Sequence, residues 1–368
     1  MSLVRVADVE RALDRSFPTE WAEEWDRVGL LAGDPAREVT GVVLALDPTR
    51  EAIRSTVTSG ANVLVTHHPA FLKTPNRLTP GRGAAGVLFE ALDSGVALVN
   101  AHTNLDRAPA AGLLLPQMLG LKALKPIERS TMPMCVITVY APRAHSKGIT
   151  EAMAGAGAGR IGEYERCSFT SAEGIGAYVA SANARPFSGS AGEGSSVDEV
   201  RIEMVAPRVR GRGVVAAARS AHPYEEPLIT AADVEIGRSS ARMGMLGEMP
   251  KAVSLAELAS SAARAFGVTP RVWGDPDCGL SRIATATGSA SSLIGDVLAS
   301  GAHALVAGEV RYHDALDAVE NGLAIIELGH DVSEWPLVAL LARAVRTVQG
   351  LDPDAVHILP STPAWWTP

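Results

Sequence analysis

The sequence predicts an α/β protein built from two related α/β lobes with mostly parallel sheets, plus an inserted α+β module. Near both ends of the chain, short β-rich runs alternate with helical runs, whereas the middle third changes to strand-like segments and glycine-rich turns. Strands separated by helices are typical of parallel βαβ units, because parallel strands need a crossover connection.

The chain has 368 residues, of which 47% are apolar and 20% charged, and this length favours two or three compact units over one. Its apolar runs are shorter than the ~18 to 20 residues of a membrane helix. The opening segment MSLVRVADVERALDRSF is typical of an amphipathic helix and lacks the features of a signal peptide. We therefore expect a cytoplasmic protein without a membrane partner.

The net charge of -8 disfavours general binding to a phosphate backbone, so a nucleic-acid partner is not expected. Cys135, Cys167 and Cys278 are far apart, which predicts neither a disulfide framework nor a cysteine zinc site.

The first lobe is predicted over residues 1–124, with strands in VTGVVLALD, ANVLVTHH and GVALVNAH and helices near 51–59 and 86–94. The inserted module, 125–245, has strand-like segments in CVITVYAP, VDEVRIEMVAP and PLITAADVE and one helix before Gly155. Within it, Arg208, Arg210 and Arg212 are predicted on a solvated strand edge, which charge protects from pairing. The second lobe, 246–368, returns to the pattern of the first.

The two lobes resemble each other in sequence. SGANVLVTHH matches SGAHALVAGE, and GVALVNAHTNLD matches GLAIIELGHDVSE. In the second match each strand ends in a histidine followed four positions later by an acid: His102 with Asp106, and His330 with Glu334. The carboxyl ends of parallel strands are where α/β sheets hold ligands, so two facing lobes would share one site.

His67 and His68 are the strongest local signal. Neighbouring residues on a regular strand point to opposite faces, so both reach one site only if the backbone turns, and Pro69 supplies that turn. Each imidazole would then bind a different ion of a close metal pair. The alternative is a pair of strand-end histidines whose polar atoms bond to the backbone or to water.

Asp106, His330 and Glu334 favour the metal interpretation. Imidazoles combined with carboxylates suit Zn, Mn or Fe(II), and a bridging carboxylate lowers the repulsion between two divalent ions ~3.5 to 4 Å apart. The five convergent side chains exceed what one tetrahedral ion uses, so we expect two divalent ions per chain.

Other strand-end groups fit a supporting role. His102, Glu309 and His313 are predicted to orient the liganding histidines, with helix capping as an equally open alternative. The segment AHPYEEP, 221–227, is predicted as a structural turn, with an accessory ligand site as the alternative. The sequence has no GxSxG turn and no cysteine beside a candidate base, so any catalysis would use metal-bound water and no side-chain nucleophile.

Taken together, the segments WDRVGLLAG, VLALDPT, VTHHPAF, AHTNLD, GEVRYHDAL and GHDVSE resemble, in content and order, the NIF-three-like dinuclear metal-centre family, known in bacteria as GTP cyclohydrolase I type 2 homologs. The resemblance implies that two metal ions are held by His67, His68, Asp106, His330 and Glu334, with Glu334 bridging. It also implies a homohexameric toroid whose inserted modules, similar to PII-like or CutA-like folds of the ferredoxin-like type, cap its ends.

Two functions follow from these observations. The first is a metal-dependent hydrolase, cyclohydrolase-like or phosphoesterase-like, acting on a small-molecule substrate. The second is a non-catalytic hexameric metal-binding scaffold or regulatory protein. An open coordination position would favour the enzyme, since closed metal sites are structural.

Overall fold

Both ends of the chain contribute to the first of two structural units in the computed structural model, which describes residues 3–128, 134–161, 164–234, 241–361 and 365. This unit comprises Met1–Arg129 and Ala241–Pro368, and the second unit is Ser130–Ser240. Within the described ranges, none of the helices combines the length and apolar character needed to cross a membrane.

The strands, in chain order, are β1 (Gly29–Ala32), β2 (Val42–Ala45), β3 (Val63–Thr66), β4 (Ala97–Asn100), β5 (Lys122–Pro126), β6 (Met134–Ala141), β7 (Phe169–Thr170), β8 (Gly174–Val179), β9 (Gly194–Pro207), β10 (Ile229–Val234), β11 (Met245–Ser254), β12 (Arg271–Trp273), β13 (Gly279–Thr285), β14 (Ala304–Ala307), β15 (Ala324–Glu327) and β16 (Val356–Ile358).

The helices are α1 (Val6–Ser16), α2 (Arg50–Thr58), α3 (Gly83–Asp93), α4 (Thr103–Asp106), α5 (Pro109–Gly112), α6 (Leu114–Met118), α7 (Arg143–Gly155), α8 (Gly211–Ala221), α9 (Leu255–Phe266), α10 (Ile294–Ala299), α11 (Tyr312–Glu320), α12 (His330–Glu334) and α13 (Leu337–Val345).

The first sheet has the strand order β1-β4-β3-β2-β16. β4, β3, β2 and β16 run parallel and β1 is an antiparallel edge. β2, β3 and β4 are buried along their whole length, because α1 and α13 pack on one face while α2 and α3 cover the other. The predicted parallel α/β arrangement is therefore confirmed, and the carboxyl ends of these strands lie at one edge.

The second sheet has the strand order β12-β15-β14-β13-β11-β5, with β13, β14 and β15 parallel. The two sheets exchange strands: β5, from the first half of the chain, pairs with β11, and the late strand β16 pairs with β2. The lobe boundaries predicted from the sequence remain predictions, and this exchange ties the sheets together within one unit.

In the second unit, the sheet has the order β10-β6-β9-β7, with β8 also paired to β9, and the pairings are antiparallel. Side chains of α7 and α8 join those of β6 and β9 in one apolar core. Its predicted α+β class is confirmed, whereas its similarity to PII-like or CutA-like folds remains a prediction.

The prediction that Arg208, Arg210 and Arg212 lie on a solvated strand edge is wrong. The chain from Arg208 to Arg210 forms a short 3-10 turn, and α8 begins at Gly211. Val214 and Ala218, one helical turn apart, are fully buried, so packing of this face overrides the weak helix propensity of the neighbouring glycines.

His222, in the AHPYEEP segment, is buried and both of its ring nitrogens are engaged. Nε2 donates to the Tyr140 carbonyl at 2.8 Å, and Nδ1 accepts the Tyr224 amide at 3.0 Å. Neither nitrogen is left for a metal ion, which supports the structural-turn interpretation of this segment.

Acidification is expected to weaken the second unit through His222. Burial lowers the pKa of His222 below its ordinary 6.5, although the Tyr140 carbonyl and Glu199 oppose the shift and His145 adds to it. The neutral imidazole therefore stabilises the fold above about pH 6.5, and this contribution is lost as the pH falls toward the folded-state pKa. Hydrogen exchange of the β6 and α8 amides should show a protection difference between wild type and His222→Gln at pH 7.5 that narrows by pH 5. A pH-independent difference would contradict this assignment.

Candidate metal centre

His67 and His68 follow β3 directly, at the carboxyl edge of the first sheet. The His67 and His68 amides donate to the carbonyls of Ala45 and Leu46, so β-type pairing continues past β3. Pro69 then ends it, since proline has no amide hydrogen to donate. The His67 side chain is fully buried and that of His68 is 20% exposed.

His330 and Glu334 come from α12, which starts where β15 leaves the second sheet. Gly329 lies between strand and helix with a φ of +100°, a conformation that favours glycine and allows the sharp exit. The i, i+4 spacing puts the two side chains on one helix face, with His330 Nε2 3.2 Å from Glu334 Oε1.

The two sheets meet at Glu334. Its Oε2 lies 2.9 Å from His68 Nε2, and its Oε1 lies 3.6 Å from His67 Nε2. Asp106, at the end of α4, also approaches this histidine, with Oδ1 3.7 Å from His67 Nε2. The structure thus brings together all five side chains that the sequence indicated as ligands.

Three groups in this cluster could hold a metal ion. Glu334 belongs to two of them, one with His67 and Asp106 and the other with His68 and His330, and the third group is His67, His68 and His102. The donor set fits a metal because His67 Nε2 is buried and has no hydrogen-bond partner. Such an atom is costly to bury unless a ligand completes its bonding. Nitrogen and carboxylate donors together suit divalent transition metals.

The electrostatics agree with this fit. Burial and the neighbouring Glu334 raise the pKa of Asp106. Burial alone would lower the pKa of His68, but hydrogen bonds to Asp47 and Glu334 raise it to about 10. The hydrogen bond to Glu334 raises the pKa of His330 to about 9, against the effect of burial. The metal-free cluster therefore holds protons that a bound metal ion would displace.

The imidazoles of His67, His68 and His330 are each oriented through the Nδ1 atom. His67 Nδ1 lies 3.0 Å from the Ala101 carbonyl, His68 Nδ1 2.7 Å from Asp47 Oδ1, and His330 Nδ1 3.1 Å from Glu309 Oε1. Nε2 of each ring is left toward the cluster, the arrangement in which outer groups fix the tautomer of metal-binding histidines.

Asp47 was missed from the sequence, although one signal could have identified it. It follows β2, the parallel neighbour of β3. Ligands of α/β sheets lie at the carboxyl ends of parallel strands, and this expectation, which indicated His67, applies to Asp47 as well.

The loop after β13 supplies further contacts that sequence reasoning missed. Thr287 Oγ1 donates to Asp106 Oδ1 at 2.9 Å, and the Gly288 amide donates to Ser333 Oγ at 2.9 Å. Gly288 has a φ of +56°, and a Cβ added there would lie 2.1 Å from Glu334 Oε1. The Glu334 carboxylate therefore occupies the space that a side chain at position 288 would fill.

The other two histidines considered from the sequence differ in their surroundings. A ring nitrogen of His102 lies within 4.8 Å of those of His67 and His68. His313, in contrast, is exposed on α11 with its ring against Tyr312, outside the groups that could hold a metal ion. The orienting role expected of His313 therefore finds no support in its position.

The fold and the site define a class: an α/β protein whose parallel strand ends gather imidazoles and carboxylates into a candidate metal centre. The model of the family described as Duf34/NIF3 (NGG1p interacting factor 3) matches residues 4–359, and the chain belongs to this family.

Relatives and solved structures agree with that assignment. The GTP cyclohydrolase 1 type 2 homolog of Mycobacterium tuberculosis is 33% identical over 352 residues, covering 94% of this chain and 92% of the relative. The Bacillus subtilis protein of the same name is 30% identical over 316 residues, covering 85% and 84%. The crystal structure of a Bacillus cereus protein related to NIF3 has a TM-score of 0.67 and 28% identity, with each chain fully covered. The Staphylococcus aureus protein SA1388 has a TM-score of 0.69 and 26% identity, over 100% of this chain and 99% of that one.

Proposed function

We propose that the protein is a dinuclear metal-dependent hydrolase whose two divalent ions, Zn, Mn or Fe(II), are held by His67, His68, Asp106, His330 and Glu334. The position of Glu334 carries the proposal, because one of its oxygens faces His68 while the other faces His67 and His330. A carboxylate so placed reaches both donor groups and suits a bridge.

Two divalent ions held this way would activate water and polarise a carbonyl, ring carbon or phosphoryl group. The residues of the chain supply binding and orientation: Asp106 and Glu334 provide the negative charge, and the Nδ1 contacts of the histidines fix their rings. The side chains of His68 and His330 are 20% and 38% exposed, so the cluster faces solvent at these two residues, and a substrate would approach from there.

Cys135 and Cys278 do not offer an alternative nucleophile. Cys135 is buried, and burial raises the pKa of both Cys135 and Cys278, which disfavours their reactive thiolate forms. This supports hydrolysis by water over attack by a side chain.

The name shared by the relatives, GTP cyclohydrolase 1 type 2 homolog, directs the substrate search to nucleotides and cyclic amides, and paired metal sites also suit phosphoesters. The test is metal analysis of protein purified without added metal, followed by a hydrolase screen of wild type and Asp106→Ala. We expect two ions per chain after reconstitution and activity that Asp106→Ala loses.

Well under one ion per chain after reconstitution would overturn the metal centre. Full metal loading without activity on any of these substrate classes would reject the hydrolase and favour the non-catalytic metal-binding scaffold.

We further propose that the protein is a cytoplasmic homohexamer. Large apolar side chains on the second unit support association, since Ile175 is 78% exposed, Val179 72% and Phe169 54%. Closed symmetric assembly is the usual way to cover such a surface. Light scattering should therefore give about six times the chain mass of 38.4 kDa, and a monomer at micromolar concentration would refute the proposal.

A further inference from the structure

His102 has the same sequence relation to Asp106 that His330 has to Glu334. His102 immediately precedes α4, and the Asp106 amide donates to its carbonyl at 3.0 Å, so the two residues share one helical turn. In the related lobe, His330 and Glu334 share the first turn of α12. The strand-helix unit is therefore repeated, with a histidine and an acid one turn apart in each copy.

The His102 ring is oriented in the same way as the other imidazoles of the cluster. Its Nδ1 lies 2.8 Å from Asp26 Oδ1, and the side chain of Asp26 is fully buried. Asp26 is held in turn by the amides of Arg27 at 2.7 Å and Thr103 at 3.0 Å. Because a carboxylate accepts, Nδ1 carries the hydrogen, and Nε2 is the ring nitrogen left for a metal ion.

The position of the ring completes the comparison. The ring centroids of His102 and His67 are 5.2 Å apart, and the His102 side chain is only 14% exposed. His67 belongs both to the group with Asp106 and Glu334 and to the group with His68 and His102. His102 thus adjoins the part of the cluster where the buried His67 Nε2 has no partner.

We propose that His102 is a sixth protein ligand, on the ion held by His67 and Asp106, and that Asp26 is the residue that positions it. This inference rests on the proposed two-ion centre and deepens it.

The assignment makes the two ions unequal. His67, His102, Asp106 and Glu334 give the first ion four protein donors, whereas His68, His330 and Glu334 give the second ion three. Four protein donors are typical of closed structural sites, and three with an open position are typical of catalytic ones. The first ion is then the tightly held one, and the second is the one that exchanges and meets substrate.

The test is a titration of metal-free protein with Co²⁺, followed by calorimetry and visible absorption, on wild type, His102→Ala and Asp26→Asn. In wild type we expect two binding steps of unequal affinity. His102→Ala should weaken the tighter step by more than the ~10- to 100-fold typical of losing an orienting partner, and Asp26→Asn by about that factor. The absorption bands of the tighter ion should also change in His102→Ala, because one nitrogen donor is lost.

Added imidazole should restore the tighter step in His102→Ala without changing that step in wild type, a rescue that a merely structural role would not give. His313→Ala, an exposed histidine on α11, is the matched control and should behave as wild type. Circular dichroism checks folding, and His102→Gln replaces the alanine variant if that variant does not fold.

Two binding steps with unchanged affinity and spectrum in the folded His102 variant would overturn this inference alone. Fewer than two ions in wild type would overturn the proposed two-ion centre, and the assignment of His102 with it.

Discussion

Replacing Glu334 by glutamine is expected to reduce metal content from two ions per chain to at most one and to abolish metal-dependent hydrolysis. Burial opposes ionisation of Glu334, yet His67, His330 and His68 hold its pKa well below the usual range, so the group is a carboxylate in the folded protein. Glutamine keeps the shape but removes the charge that both donor groups share.

The change is checked by elemental analysis and by the thermal midpoint of unfolding with and without metal. Metal should raise the midpoint of wild type more than that of Glu334→Gln, since the stabilisation by a bound ligand increases with its affinity. Glu309→Gln, which removes the negative charge of the Nδ1 partner of His330, should weaken binding by ~10- to 100-fold. Glu320→Gln, exposed at the end of α11, should have no effect. Two ions retained by Glu334→Gln would contradict a bridging role.

Gly288→Ala is expected to impair metal binding far more than it impairs folding. The new methyl group would lie 2.1 Å from Glu334 Oε1 and 3.4 Å from His330 Nε2, so the carboxylate must move out of the cluster. An alanine at positive φ also costs roughly 1 to 2 kcal/mol of stability, whatever its surroundings. The displacement of Glu334 is the part specific to this position, and we expect metal affinity to fall by at least about 100-fold, the upper end of the effect of losing an outer partner.

Gly322→Ala separates the two effects. Gly322 has a φ of +82°, but a Cβ there would meet nothing within 4 Å. Both variants should lose similar stability in denaturant unfolding without metal, whereas only Gly288→Ala should lose metal affinity in calorimetry. Equal affinities in the two variants would show that the space at Gly288 does not matter for Glu334.

Much of the fold and of the cluster follows from one rule, that parallel strands end at a shared edge. The alternation of strands and helices predicted the sheets. The strand ends, together with the acids four positions after two strand-end histidines, indicated His67, His68, Asp106, His330 and Glu334. The same rule extends to Asp47 after β2 and to Thr287 after β13, which sequence reasoning did not include because neither lies in a histidine-acid pattern.

Other features depend on packing between distant segments and have no local signature. The pairing of Asp26 with His102 joins residues from different loops, and the contact of Gly288 with Glu334 depends on how two turns of the second sheet meet. Helix α8 was missed because its glycines weaken the local helix signal, and burial of Val214 and Ala218 becomes evident only once the sheet is formed.

The pairing of β16 with β2 has a consequence for the order of folding. Val356 lies opposite Val42, so residues from opposite ends of the sequence must meet before the first sheet is complete. Closing so long a loop lowers the conformational entropy of the chain first. The stabilisation from strand pairing and from the packing of α13 comes only afterwards. Because α12 immediately precedes α13, we expect Glu334 to reach His68 only once α13 has packed on the first sheet. We therefore expect high-affinity metal capture to follow, and not to nucleate, assembly of the sheet, so that in stopped-flow refolding the metal signal appears after the bulk of the β-sheet signal.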